Sequence, residues 1–327
     1  MKKTSIGGQA LLEGIMMRGP KITAMAVRNP QGEIVLEEAP TRGQMRPKIC
    51  RLPVIRGIFG MIDSLVGGYK YLMRSAEICG ADAEEEEKAR AKREKKNQER
   101  AKKGLPPIEG TPLSEKLFNA ILMPLATVLA FALAFVLFFW MPAQLWKWLQ
   151  PILPGGIANN YFLRALFEGV LKIALFVLYV WATSLMKDIR RTYMYHGAEH
   201  KTIFCYEAGL PLTVENVRIQ RRFHPRCGTS FLILTLLVSI LVTAFIRIDN
   251  LPLRLLVKVP TIPLIVGLSY ELIKFAGRTD NRLTRIISAP GIALQHLTVH
   301  EPEDGMIECA IRAMERVIPD DGSDEIH

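Results

Sequence analysis

The chain has 327 residues, 49% of them hydrophobic and 23% charged, with a formal charge of +10. That apolar content and the lack of a short repeat exclude disorder, collagen and coiled coil. Apolar residues gather in a few long runs and charges in separate blocks, which is the pattern of a membrane protein and not of an average basic soluble one. The five cysteines are too few for a disulfide framework in a chain this long. The start, MKKTSIGGQALLEG, lacks a long apolar run, so no cleaved signal peptide is expected.

Residues 1–80 form an N-terminal cytosolic region. GGQALLEGIMMRGP is read as a turn-rich segment held against the rest of the protein, because Gly7, Gly8, Gly14 and Gly19 free its backbone. Glu13 within it is a candidate metal ligand or substrate contact. ITAMAVRNPQGEIVLEEA places two β-prone runs around a turn signal and predicts a hairpin over 22–39. Residues 50–79 are apolar on a helical period but carry interspersed charges, as an interfacial or re-entrant helix does. Residues 81–112 form a charged linker. It reads as a solvated tether, or as a segment that binds anionic lipid or ribosomal RNA through its basic half.

Four apolar runs follow, at Leu117–Met141, Phe162–Met186, Phe231–Ile246 and Val259–Ala276. The first two fall in 113–186, where Glu168 and Lys172 pair at i,i+4 spacing, and the last two in 231–277. Glu271 is costly in lipid and should face the bundle interior, paired with an arginine of the 218–226 loop. Basic residues crowd 187–230 and the segments flanking the runs, while the 142–161 connection carries only Lys147. Arg247, Arg254 and Lys258 are few in the other outer connection. This bias puts both termini and the 187–230 motif loop in the cytoplasm of a multi-pass inner-membrane protein, where Cys205 and Cys227 stay reduced. The tail, 278–327, begins with a break at Pro290-Gly291 and continues as an amphipathic helix over 302–318. The fold class is therefore mainly α: about four transmembrane helices, an N-terminal β-hairpin and interfacial helix, and cytosolic helical segments.

The chemistry concentrates in YMYHGAEHKTIFCYEAGLP. His196, Glu199 and His200 form an H-x-x-E-H pattern, which on a helix puts both imidazoles one turn apart with the carboxylate beside them. Glu207 lies two turns further on roughly the same stripe. RRFHPRCGTSF then supplies His224 and Cys227 just ahead of the third run. Two histidines from the helix with His224 and Cys227 would close a tetrahedral zinc site; two histidines and one further ligand would leave a position for water. Cys227, at a helix N-terminus among arginines, is also a candidate nucleophile with a histidine as its base. Against these stands a plain reading, in which His196 and His200 are interface histidines bonded to carboxylates or carbonyls and Cys227 is a packed small residue. His296 and His300 read as a solvated or lipid-facing pair.

Two functions compete. The first is a metal-dependent hydrolase at the cytosolic face, with zinc on His196 and His200 and Glu199 activating water. The second is a non-enzymatic membrane factor whose basic surface meets anionic lipid, ribosome or translocon components. DNA is not an expected partner. Transport fits less well, since four spans are few and no inverted repeat is present.

GGQALLEGIMMRGP, RGIFGMIDSLVGGYKYLMRSAEI, YHGAEHKTI, FHPRCGTSF, GLSYELIKF and SAPGIALQHLT occur in this order. With them the chain closely resembles the YqhQ-like family of bacterial membrane proteins, domain of unknown function 1385. The resemblance covers nearly all of the chain outside the 81–112 linker and the last residues. It implies a multi-pass membrane protein, loosely described as a metal-dependent enzyme on the same histidine and glutamate residues. The family pattern has Arg at the places of His296 and His300, which argues against a ligand role for those two.

Overall fold

A computed structural model describes residues 3–41, 47–81, 123–278 and 281–325, with isolated positions between 91 and 102. The 81–112 linker lies almost wholly outside the described residues, as does the start of the first apolar run.

The chain is mainly helical with one small antiparallel sheet. Its strands are β1 (Gly7–Leu11), β2 (Gly14–Arg18), β3 (Ile22–Arg28) and β4 (Ile34–Pro40), paired in sequence order as a meander. The hairpin predicted for 22–39 is β3–β4, and its turn is closed by the Glu33 N–H donating to Asn29 Oδ1 at 2.8 Å. The turn-rich reading of GGQALLEGIMMRGP is corrected: that segment is the β1–β2 hairpin. Its glycines serve close approach. A Cβ on Gly14 would lie 2.4 Å from the Ala26 carbonyl oxygen of the neighbouring strand.

Side chains alternate across the sheet with a period of two. Ile15, Met17, Ala24 and Ala26 face one way and join a core with Tyr195, Ala198, Met306, Ile307, Ala310 and Met314. Leu11, Met16, Met25 and Val27 face the other way, against Tyr71, Leu72 and Ile78. The first layer comes from helices α5 (Lys187–Glu207) and α10 (Asp304–Val317), the second from α1 (Ile55–Cys79). The tail helix expected over 302–318 thus fills the centre of the globular part, with Ile307, Ile311, Met314 and Val317 all buried.

Among the described residues, three helices are long and apolar enough to cross a bilayer. They cover Pro124–Ile152, Tyr161–Ser184 and Leu251–Gly277. The first begins as α2 (Met123–Phe135), passes through a π-helical turn at Val136–Trp140, and continues as α3 (Met141–Leu149). Leu125, Val128, Leu129 and Phe131 on it are exposed, a surface that water would penalise and lipid would not. The other two are α4 (Tyr161–Ser184) and α8 (Leu251–Arg278). Between them runs α7 (Gly228–Ala244), an apolar helix of 17 residues. At 1.5 Å per residue α7 reaches about 26 Å, just under the hydrocarbon thickness of roughly 30 Å. It packs against α4, α8 and α9 (Arg282–Thr298).

Four sequence expectations are corrected here. No break occurs at Pro290-Gly291: α9 runs through both, and Gly291 lets it approach α7 so closely that a Cβ would lie 2.4 Å from Ser230 Oγ. Arg254 and Lys258 are not loop charges. α8 starts at Leu251 and buries both beside Glu168, whose Oε2 accepts from Lys258 Nζ at 2.6 Å. Lys172, read as the partner of Glu168, places its ammonium 5.2 Å from the Phe139 ring centroid instead. Glu271 pairs with Arg56 of α1, not with the 218–226 loop. Arg56 Nε donates to it at 2.7 Å and the Val54 N–H at 3.1 Å. The cause is the contact of α1 with α8, where a Cβ on Gly57 would meet Tyr270 Cβ at 2.6 Å.

Candidate functional site

Only Leu185 and Met186 separate α4 from α5, so α5 leaves the end of a membrane-length helix and enters the globular part directly. His196 and His200 lie one turn apart on it, with ring centroids 4.4 Å apart. Gly197 sits between them because the segment after α9 crosses the helix there. A Cβ on Gly197 would fall 1.9 Å from the His300 carbonyl oxygen. That crossing is pinned by the His300 N–H, which donates to the Tyr193 carbonyl at 3.0 Å.

The same crossing brings the Thr298 carbonyl to His196 Nδ1 at 2.9 Å. On the next turn, the loop after α6 (Val214–Arg218) brings the Arg222 carbonyl to His200 Nδ1 at 2.6 Å. A carbonyl only accepts, so Nδ1 of each ring donates and each Nε2 is left for another partner. Cys227 is the N-cap of α7, and its Sγ lies 3.0 Å from His196 Nε2 and 3.2 Å from Thr229 Oγ1. One ligand atom from each of His196, His200 and Cys227 lies within 4.8 Å of the others. Nitrogen and sulfur ligands of tetrahedral zinc stand about 3.3–3.8 Å apart, given bonds of roughly 2.0–2.3 Å.

Glu199 completes the cluster. Its Oε1 accepts from the Gly8 N–H of β1 at 3.0 Å. Gly8 must be glycine for this, since a Cβ would lie 2.9 Å from Glu199 Cδ. Among the described residues, Glu199 Oε2 and His200 Nε2 are both buried without a hydrogen-bond partner. Two such orphans in one site are costly, and a cation or water between them would satisfy both.

Burial disfavours charge on all of these groups, yet the pair chemistry overrides it at two of them. His196 and Cys227 oppose the desolvation cost through opposite charge and their shared hydrogen bond. The imidazole is pushed up to about 10, and the thiol is held well below its ordinary value, with His200 adding to the effect. Glu199 goes the other way: burial pushes its carboxyl up, and the neighbouring histidines only partly offset that.

The other candidates stand outside this cluster, though the His224 ring lies 5.6 Å from that of His200. His224 is buried and turns toward Glu207 and Arg226, with Nε2 3.9 Å from Glu207 Oε2. Burial, with Arg226 and His200 nearby, brings His224 down to about 4, so it is neutral at pH 7. Burial would raise Glu207, but His224, Arg226 and the Thr4 N–H hold its carboxyl at about 2. Glu207 thereby ties the N-terminal strand entry to the motif loop. Glu13 accepts from Arg191 Nη2 at 2.7 Å and from the Tyr195 hydroxyl at 3.2 Å. Glu271 is held by Arg56, as above. His296 stacks on Phe223 with centroids 4.4 Å apart. Sequence reasoning missed the backbone groups of the site: the Gly8 N–H and the Thr298 and Arg222 carbonyls. The adjacent Gly7-Gly8 pair in an apolar strand was the one available signal of a close approach.

Taken together, the site is a buried His/His/Cys/Glu cluster at the end of a membrane-length helix, in a mainly helical chain with three such helices. The chain belongs to the family described as "Protein of unknown function (DUF1385)", which it matches over residues 52–320. It is 32% identical over 314 residues to "Uncharacterized protein YqhQ" of Bacillus subtilis (strain 168), covering 95% of this chain and 92% of that protein. No solved structure matches.

Proposed function

We propose that this protein is a multi-pass protein of the bacterial inner membrane that holds zinc through His196, His200 and Cys227 on its cytosolic face and acts as a hydrolase there. The observation that carries the reading is the orientation of the imidazoles. Both tie Nδ1 to a backbone carbonyl, and a thiol lies 3.0 Å from the free nitrogen of one. Metal-ligating histidines are fixed in this way, with the outer nitrogen donating to a carbonyl or carboxylate. Three protein ligands leave a fourth position for water, which a catalytic site needs. Zinc bound there would supply an acidified water and a Lewis acid. Glu199, beside the histidines with one free oxygen, is placed to take the proton from that water. The cytosolic placement rests on the basic residues of 187–230, and the interfacial one on the short α4–α5 joint.

Cobalt in place of zinc tests the ligand set. Cobalt-loaded protein should show a thiolate-to-cobalt charge-transfer band in the near ultraviolet, and Cys227→Ser should abolish it. A wild-type spectrum without that band would contradict the reading. The 3.0 Å contact of His196 with Cys227 also suits a thiol nucleophile with an imidazole base. That second reading predicts that protein stripped by a chelator keeps its cellular function and loses it on alkylation of Cys227.

A further inference from the structure

A cavity of about 450 Å³ lies beside this site, between the β1–β2 edge, α1 and the start of α7. Gly7, Gly8, Arg18, Ser64 and Gly228 are among the residues that line it. Two of them border the site directly. Gly8 gives its N–H to Glu199, and Gly228 follows Cys227 in the chain. A Cβ on Gly7 or Gly228 would meet nothing within 4 Å, so both open on free space.

Arg18 sits half-buried in the wall at the end of β2. Its guanidinium stands against α1, where a Cβ on Gly67 would lie 3.3 Å from Nη2. Three other arginines each have a carboxylate: Arg191 has Glu13, Arg56 has Glu271, and Arg226 has Glu207. Among the described residues Arg18 has no such partner, so its five donors are free for an oxyanion. On the face of α1 turned away from the cavity runs an apolar stripe: Ile62, Leu65, Val66, Tyr69 and Met73 are all exposed, at helical spacing. Such a stripe is the face that an interfacial helix lays into the headgroup and acyl boundary.

We infer that this cavity receives the oxyanionic headgroup of an amphiphile, with Arg18 as its anchor and the outward stripe of α1 holding that helix at the lipid boundary beside it. The binding stands on the cavity itself; the delivery of that headgroup to the neighbouring centre rests on the function proposed above. An oxyanion in the cavity would approach the site from the side of the Gly8 strand and the α7 N-terminus, where Glu199 and Cys227 lie.

The test uses the full chain in detergent, titrated with short-chain phosphatidic acid, with phosphatidylcholine of the same chain length as the uncharged comparison and inorganic phosphate as competitor. Phosphatidic acid should bind at least tenfold more tightly than phosphatidylcholine. Arg18→Gln should weaken it at least tenfold, and Arg18→Lys should weaken it less. Gly7→Phe, which adds a ring where the backbone has room, should block it without disturbing the fold. Competition by inorganic phosphate at comparable concentration would assign the site to free phosphate groups; weak competition assigns it to the lipid headgroup. Equal affinities across wild type, Arg18→Gln and Gly7→Phe, or no preference over phosphatidylcholine, would overturn the inference. Zinc content measured in the same samples separates the two readings: Arg18-dependent binding in a zinc-free wild type would leave the cavity standing and the metal centre refuted.

Discussion

Glu199→Gln is expected to keep zinc and protein abundance at wild-type levels while removing the protein's cellular function. Gln preserves the shape and the acceptor for the Gly8 N–H, which lies 3.0 Å from Glu199 Oε1. It cannot take a proton. Loss of a positioned general base costs about 10²–10⁴ in rate, enough to abolish rescue of a strain that lacks the chromosomal copy. The measurement is that rescue, scored with zinc content and abundance in the same cells. Full rescue by Glu199→Gln would leave a metal centre without hydrolysis, as the competing membrane-factor reading requires.

The largest stability effect is expected far from this site, at Glu168. The carboxylate is buried between α4 and α8, 2.6 Å from Lys258 Nζ and 3.3 Å from Arg254 Nη2. Lys172 is buried one turn along α4. One carboxylate therefore pairs with two cations withdrawn from water, with a third close by. Removing it leaves those charges unpaired in a low-dielectric setting, at a cost of about 3–5 kcal/mol. Glu168→Gln should lower the unfolding temperature of the detergent-purified protein accordingly. Adding Lys258→Met should recover part of the loss, because it removes one of the stranded charges. An unchanged midpoint in Glu168→Gln would show that the pair does not hold α4 against α8.

Glu168 also marks where sequence reading reached its limit. Its spacing from Lys172 suggested a local pair, because i,i+4 neighbours are the only partners a single helix reveals. The actual partners lie on α8, 86 and 90 positions away, and became visible only when that helix proved to start before Val259. Pro260 and Pro263 are both accommodated inside it. The same limit hid the partner of Glu271. The long apolar runs, the 22–39 hairpin and the amphipathic tail were legible, since each is written in a local period. The β1–β2 hairpin was not, because four glycines in fourteen residues read as turns when their purpose was close packing.

At the site, the imidazole pair was legible from spacing alone, and so was the nearness of Cys227, which both flanking helices impose. Which of His224 and Cys227 joins that pair was not. His224 and Cys227 share one loop, and only the tertiary arrangement turns the first toward Glu207 and the second toward His196. Gly197, between the two histidines, is the point at which the Thr298–His300 segment crosses and delivers the carbonyl that orients His196.

The most direct test of the account is the metal content of the detergent-purified full chain, in wild type and in the His196→Ala/His200→Ala variant. The account predicts about one zinc per chain in the wild type and none in the variant, with both proteins folded and equally abundant. Zinc absent from both, or present in equal amount in both, would contradict it.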